Sequence, residues 1–154
     1  APLVEVVCSE ATDPGLAEEV YSLMRHLGKK PVLVKKDIPG FLANRIQHAL
    51  MREALSLVEK GIATPEDVDD AVRYGFGFRY VAAGPLRQKD LTGVDTQYSA
   101  GVTIYPDLCN DAVPSPYIRE KVAAGHLGIK VKKGFYDWTD EEIGILKRLM
   151  KKDC

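Results

Sequence analysis

A single strand–helix–strand pattern opens the chain and only helical patterns follow it, which limits the folds that the chain can adopt. Leu3–Val7 is a short, β-branched apolar run that predicts a strand, and Val32–Val34 predicts a second one. Between them, apolar residues recur at helical spacing from Pro14 until Gly28. The spacing predicts two parallel strands joined by a crossover helix. This unit either packs on the rest of the chain or ends a larger sheet. We favour the larger sheet, because one helix cannot cover both faces of a parallel two-stranded sheet.

From Asp37 to the end, the sequence has the apolar spacing of helices. Helix starts are marked by Thr64-Pro65, by Ser115-Pro116 and by a capping box at Thr139–Glu142. The predicted helices cover about residues 41–60, 64–75, 85–101, 115–125 and 139 onward, and Gly75 is expected to break the second of them. The predicted fold class is therefore mainly α, with a short β-α-β unit in front.

Charge and composition argue against several classes of function. The chain has 21 Lys and Arg against 22 Asp and Glu, a net charge of −1, so no nucleic-acid partner is expected. Its apolar runs are too short to span a membrane. The cysteines, Cys8, Cys109 and Cys154, form no C-x-x-C pair, which excludes a zinc ribbon or a dithiol redox motif. Together with the lack of a signal-peptide pattern, this predicts a reducing, cytoplasmic location.

The residues alone provide no complete catalytic set. His26, His48 and His126 lie far from one another and from any ligand pair, so no metal site is predicted. No G-x-S-x-G elbow and no P-loop is present. The run from Gly75 to Tyr80 lacks the third glycine of a dinucleotide-binding loop and follows a helix rather than a strand. We therefore assign no cofactor-binding residue to this chain.

Two polar residues stand out by their context. Glu5 interrupts the apolar strand Leu3–Val7, where a buried carboxylate needs a partner. It lies either at an exposed strand end or in position to hold a histidine in its working tautomer. Asn44 falls on the first turn of the long helix, just after Pro39-Gly40. It either bonds nearby backbone or donates a hydrogen bond to a substrate carbonyl.

The segment from Asp37 to Arg45, Asp-Ile-Pro-Gly-Phe-Leu-Ala-Asn-Arg, resembles the junction motif of the L-3-hydroxyacyl-CoA dehydrogenase family. The similarity continues through Glu53-Ala54, Val58–Gly61, Asp67–Asp69, Gly84–Leu86, Asp90–Asp95 and Gly134–Trp138, and upstream through Pro2–Val7, Leu27–Lys29 and Pro31–Val34. In that family, a nucleotide-binding domain is followed by a helical domain. The resemblance implies that residues 1–36 are the last β-α-β piece of a Rossmann-type NAD-binding domain, and that residues 37–154 form an all-helical domain for dimerisation and the substrate cleft.

The resemblance also implies roles for the two polar residues. In the family, the histidine of a His-x-x-Asn-Pro motif is the general base, and hydride passes to NAD. Glu5 matches the acid that pairs with this histidine, and Asn44 matches the asparagine near the reacting carbon of the substrate. Neither the histidine motif nor the glycine-rich NAD loop occurs in this chain. We therefore expect a fragment that binds no NAD and is inactive alone, whereas the full-length parent uses NAD.

The family further implies an acyl-CoA substrate, a place in fatty acid metabolism through β-oxidation, and a homodimer formed through the helical domain. The long amphipathic helix and the apolar segment Gly75–Val81 are candidate contact surfaces. Gly77–Tyr80 followed by Gly84-Pro85 also resembles relatives that oxidise non-CoA hydroxy acids, of the gulonate or carnitine dehydrogenase type. A third hypothesis is a non-catalytic helical interaction module.

Overall fold

The computed structural model describes residues 2–151 and is mostly helical. The strands are β1 (Leu3–Val7) and β2 (Lys30–Val34), and the helices are α1 (Pro14–His26), α2 (Ala43–Glu59), α3 (Pro65–Asp70), α4 (Pro85–Thr92), α5 (Val94–Ile104), α6 (Pro116–Ala123) and α7 (Asp140–Lys151). This order confirms a helical chain that follows a short β-α-β unit. Ala1 and residues 152–154, which include Cys154, lie outside the described residues.

The β-α-β unit forms as its sequence predicts. β1 and β2 are parallel and pair in register from Leu3 opposite Lys30 to Val7 opposite Val34. The Asp13 side chain caps α1 by accepting the Leu16 N–H at 2.9 Å, a bond that suits the free N–H groups of a first turn. After α1 the chain turns at Gly28, whose φ of +74° favours glycine. Local capping signals therefore fix both ends of the crossover helix.

Two predicted helix boundaries are wrong. The helix expected over residues 85–101 is divided into α4 and α5 at Gly93, whose φ of +98° ends one helix and starts the next. The break expected at Gly75 does not occur, because a π-helical segment, Ala71–Phe76, continues α3 and leads into a 3-10 segment, Gly77–Val81. Of these two glycines, only Gly93 has a positive φ, a backbone conformation that favours glycine.

One stretch after Asp37 is extended rather than helical. Lys133 forms antiparallel bridges with Gly128 and with Asp137, which makes a tight turn between α6 and α7. A Cβ atom on Gly134 would lie 2.8 Å from the Cα atom of Gly128. The two backbone segments are therefore too close for any residue other than glycine at position 134. These bridges are isolated pairs in the connection between α6 and α7, and the described residues after β2 contain no further strand.

The residues group into two compact units. The described residues up to Leu50, with those from Trp138 onward, form one unit, and Met51–Asp137 form the other. These units rest on contacts within this chain, and the predicted domain division between residues 36 and 37 stays a prediction. In the described part of the chain, no helix combines the length and the apolar character that crossing a bilayer requires.

The start of α7 carries the predicted capping box. Thr139 Oγ1 accepts the Glu142 N–H at 3.2 Å, and Glu142 Oε2 accepts the N–H and the Oγ1–H of Thr139, each at 2.8 Å. These bonds, first from the backbone of Thr139 and then from its side chain, lower the pKa of Glu142 below its usual value of 4.5. The box therefore favours the ionised form of Glu142.

We expect Thr139→Ala to move the pKa of Glu142 part of the way back toward its usual value, because one of its two donors is lost. Since the folded-state pKa is lowered, the box stabilises α7 above the unfolded-state pKa, and this contribution is lost as the pH falls through the folded-state pKa. An NMR titration of the Glu142 carboxyl carbon measures the shift. Thr103→Ala, an exposed change on α5, is the control. Equal titration curves for Thr139→Ala and the unchanged protein would contradict the prediction.

Candidate functional site

Glu5 is the middle residue of β1 and lies opposite Val32 of β2. Its side chain is half-buried, and the next residue, Val6, belongs to the small apolar core with Ala17 and Val34. The interpretation of Glu5 as the exposed end of a strand is therefore wrong. A carboxylate in this position needs hydrogen-bond donors, and the structure supplies them from a distant part of the chain.

The chain enters α2 through an unusual turn. Gly40 and Phe41 both have left-handed backbones, with φ values of +81° and +47°. Glycine takes this conformation freely, whereas for a phenylalanine it costs on the order of 1 kcal/mol. The Arg45 N–H donates to the Gly40 carbonyl at 3.0 Å, and the Phe41 N–H donates to the Ile38 carbonyl at 3.0 Å. The turn thus delays the helix to Ala43, two residues later than the apolar pattern predicts.

The Glu5 carboxylate binds the N-terminus of α2. Its Oε1 atom accepts the Leu42 N–H at 2.7 Å and the Ala43 N–H at 3.2 Å. The first N–H groups of a helix have no partner within the helix, and its N-terminus attracts negative charge. By analogy with helix caps, such a contact stabilises the helix start by about 1 kcal/mol. Both bonds use Oε1, so Oε2 takes part in neither of them.

Asn44 follows directly after the last residue that Glu5 binds. It is the second residue of α2, and its side chain is exposed. Its backbone carbonyl oxygen accepts a hydrogen bond from His48 Nδ1 at 2.9 Å. The fold therefore brings the two predicted site residues to one place, the first turn of α2. A carboxylate and a neutral amide at this point offer a charge-pairing group and a hydrogen-bond donor.

The chemistry of the described residues matches no metal centre and no phosphate loop. Within residues 2–151, no three His, Cys, Asp or Glu side chains are arranged to hold a metal ion. The segment after β1, residues 8–13, contains no glycine, and the segment after β2 leads through Pro39 and Gly40 into α2. A glycine-rich strand-to-helix loop that cradles a dinucleotide is therefore lacking in this part of the chain.

Two side chains without a predicted role form hydrogen bonds within the unit Met51–Asp137. Glu53 Oε2 accepts the Cys109 N–H at 2.7 Å, and Arg52 Nη1 donates to the Asp111 carbonyl at 3.2 Å, so α2 fixes the segment before α6. In the sequence, Glu53-Ala54 is part of the resemblance to the family, which implies no role for it. A charged residue on the half-buried side of a helix was the available signal.

Tyr136 also has a defined partner. Its hydroxyl group donates to Asp69 Oδ2 at 2.8 Å, which ties the turn before α7 to α3. Burial raises the pKa of Tyr136, and the neighbouring Asp69 carboxylate raises it further, so the phenol stays protonated and keeps donating. The two residues lie 67 positions apart, and no local sequence pattern links them.

A parallel β-α-β unit is the building block of the doubly wound sheets that bind nucleotides. Two family models match the chain: the NAD binding domain of 3-hydroxyacyl-CoA dehydrogenase over residues 1–38, and the C-terminal domain of the same enzyme over residues 40–138. The second match alone covers more than half of the chain. The chain belongs to the 3-hydroxyacyl-CoA dehydrogenase family.

Its relatives have different names. The 5-formyl-3-hydroxy-2-methylpyridine 4-carboxylate 5-dehydrogenase of Mesorhizobium japonicum is 38% identical over 146 residues, covering 95% of this chain and 47% of the relative. A crystal structure of an enzyme of that name matches with a TM-score of 0.93 and 37% identity, covering 98% of this chain and 49% of the other. A probable 3-hydroxybutyryl-CoA dehydrogenase of Bacillus subtilis is 36% identical, covering 90% of this chain and 47% of the relative.

An L-carnitine dehydrogenase of Burkholderia mallei is 44% identical over 92 residues, which cover 60% of this chain and 29% of the relative. The chain thus spans about half the length of the first two relatives. The family includes dehydrogenases named for acyl-CoA substrates and others named for small carboxylates, as the resemblance in sequence had implied.

Proposed function

We propose that this chain is part of an NAD-dependent dehydrogenase that oxidises the hydroxyl group of a 3-hydroxyacyl-CoA to a ketone, in fatty acid metabolism. The chain would supply part of the substrate cleft. The observation that carries the proposal is the half-buried Glu5 carboxylate, bound to the first turn of the helix that bears Asn44. The family membership supports NAD as the cofactor of the full-length protein.

In this mechanism, each site residue of the chain has a separate task. Glu5 pairs through Oε2 with the imidazole of a general base from outside this chain, and a nearby carboxylate favours the imidazolium that forms on proton abstraction. Asn44 donates a hydrogen bond to the reacting oxygen and stabilises its developing charge. NAD, when bound to the full-length protein, would supply the hydride-accepting chemistry.

A small hydroxy-carboxylate without CoA is the second candidate substrate. The TM-score of 0.93 over 98% of the chain supports it, because the matched enzyme is named for a pyridine carboxylate. The resemblance to L-carnitine dehydrogenase supports the same class. A hydroxy acid such as carnitine shares the reaction at the hydroxyl group with the first candidate and differs in the group that the cleft must hold, whereas a formyl substrate such as that of the pyridine enzyme would first have to add water.

The proposal includes a homodimer formed through the helices. Several large apolar side chains outside β1 and β2 are highly exposed, including Leu86 at 84%, Leu91 at 86% and Tyr98 at 75%. Large exposed apolar surfaces often mark contacts between proteins, and two-fold dimers are the commonest soluble oligomers. We further propose that the chain alone has negligible activity, since it contains neither the histidine motif nor the glycine-rich loop.

A spectrophotometric assay of NADH formation tests the proposal. The full-length protein is supplied with NAD and, in separate reactions, with 3-hydroxybutyryl-CoA, L-carnitine and 5-formyl-3-hydroxy-2-methylpyridine 4-carboxylate. Turnover of the CoA thioester with the highest kcat/KM supports the first candidate, and preference for a free carboxylate supports the second. The present chain, assayed with acetoacetyl-CoA and NADH, is the control and should show no turnover. A full-length protein that oxidises none of these compounds would favour a non-catalytic interaction module.

A further inference from the structure

We propose that Glu5 is also a positioning residue for Asn44, because it holds the first turn of α2 against the sheet. This inference rests on the function proposed above and adds a second task to Glu5. The first turn of a helix is commonly capped by the side chain of the residue that directly precedes the helix. Here the Glu5 carboxylate, which we propose to pair with the imidazole of the general base, also binds the first turn of α2.

The anchor of this contact is rigid. Glu5 is the central residue of β1, which pairs along its whole length with β2. The ladder is extended at both ends, where the Lys30 N–H donates to the Pro2 carbonyl at 2.9 Å and the Cys8 N–H donates to the Val34 carbonyl at 2.8 Å. The paired strand therefore holds the backbone of Glu5 in place, and the Glu5 carboxylate in turn positions the N–H groups that it binds.

The turn held by this contact also has local bonds, such as that from the Phe41 N–H to the Ile38 carbonyl, but the Glu5 contact is the one that ties it to β1. The Leu42 and Ala43 N–H groups both donate to Glu5 Oε1, so their bonds come from the sheet rather than from the helix. The residue before them, Phe41, has a left-handed backbone, a conformation that persists only where its surroundings enforce it. Without Glu5, we expect this turn to relax and Asn44, the next residue, to move with it.

The division of the two carboxylate oxygens makes both tasks compatible. Oε1 accepts both helix N–H groups, whereas Oε2 participates in neither bond. A carboxylate has about four lone-pair sites and can bind donors on both oxygens at once. Occupation of Oε1 also fixes the direction of Oε2, so α2 and an imidazole would be aligned by one side chain.

Two substitutions separate the reach of the side chain from its charge. Glu5→Asp keeps the charge but is one methylene shorter, so it should lose the bonds to α2, whereas Glu5→Gln keeps an oxygen acceptor of the original length. In hydrogen–deuterium exchange on the full chain, we expect Glu5→Asp to speed exchange at Leu42 and Ala43 by about five- to tenfold. Glu5→Gln should retain most of the protection, and amides in the middle of α2 should not change. Glu10→Ala, an exposed change, is the control.

Kinetics on the full-length protein test the consequence for Asn44. Because Glu5→Asp also shortens the reach to the imidazole, it should lower kcat in both backgrounds, but if Glu5 positions Asn44 the loss should be about fivefold larger in the original protein than in an Asn44→Ala background. Equal fold-losses in both backgrounds, or unchanged exchange at Leu42 and Ala43 in Glu5→Asp, would overturn the inference. A full-length protein without dehydrogenase activity would instead overturn the proposed function. The exchange result separates the two failures, since it does not depend on turnover.

Discussion

Replacing Asn44 by alanine in the full-length protein should lower kcat on the order of a hundredfold, since loss of one donor to a developing oxyanion costs about that much. The side chain is exposed on the first turn of α2, so the substitution removes no packing from the described fold. We therefore expect a loss of rate with little change in the thermal unfolding midpoint. Steady-state kinetics and circular dichroism measure the two quantities.

Two matched variants distinguish the donor from other properties of Asn44. Asn44→Asp keeps the size and places an acid in the first turn of a helix, which helix electrostatics favour, but it removes the N–H donor. It should lose as much activity as Asn44→Ala while the protein stays folded. Gln47→Ala removes an exposed amide from the same helix and should leave kcat within about twofold. Equal losses for Gln47→Ala and Asn44→Ala would show that Asn44 has no special role.

Gly77→Ala should lower the free energy of unfolding by about 1–3 kcal/mol, the usual cost of forcing a methyl group into filled space. A Cβ atom at Gly77 would lie 2.7 Å from the Val72 carbonyl oxygen, a backbone atom that cannot turn aside. The close approach follows from the π-helical segment, in which the Gly77 N–H donates to that same carbonyl. Relief would require this turn to be rebuilt.

Gly75→Ala is the matched control, two residues away in the same segment. A Cβ atom there meets nothing within 4 Å. Alanine loses less conformational entropy than glycine in a helical backbone, so we expect this variant to gain about 0.5–1 kcal/mol. Urea denaturation followed by circular dichroism measures both changes. If the two variants have the same stability, the close approach at Gly77 does not limit the fold.

The elements that the sequence predicted correctly are those with local signals. Asp13 before α1, Thr64 before α3 and Thr139 before α7 each bond a backbone N–H three residues ahead. A capping residue and the amide that it binds are neighbours in sequence, so their pattern is visible without a structure. Strand spacing around α1 was visible for the same reason.

The two glycine errors show where local signals end. Gly75 was predicted to break a helix, and Gly93 was predicted to lie inside one. Gly93 has a φ of +98° and separates α4 from α5, whereas Gly75 stays within a π-helical segment. Because glycine adopts helical and left-handed backbones with similar ease, its presence alone does not show which of the two it takes.

The candidate site was partly visible in the sequence. Glu5 was identified as a charged residue in an apolar strand, and Asn44 as a polar residue on the first turn of a helix and through the family motif. Their roles in catalysis stay predictions. The family resemblance implied a histidine as the partner of Glu5, and nothing in the sequence indicated its bonds to α2.

The sequence by itself determined the order of the elements, the helix caps and the family, since these depend on neighbouring residues or on matched motifs. Only the tertiary structure decided that Glu5 binds the start of α2. That bond joins residues 37 positions apart, from a strand to a helix terminus. It forms because the fold brings an unpaired acceptor to unpaired N–H groups, and such a meeting depends on three-dimensional position, which residue spacing alone does not specify.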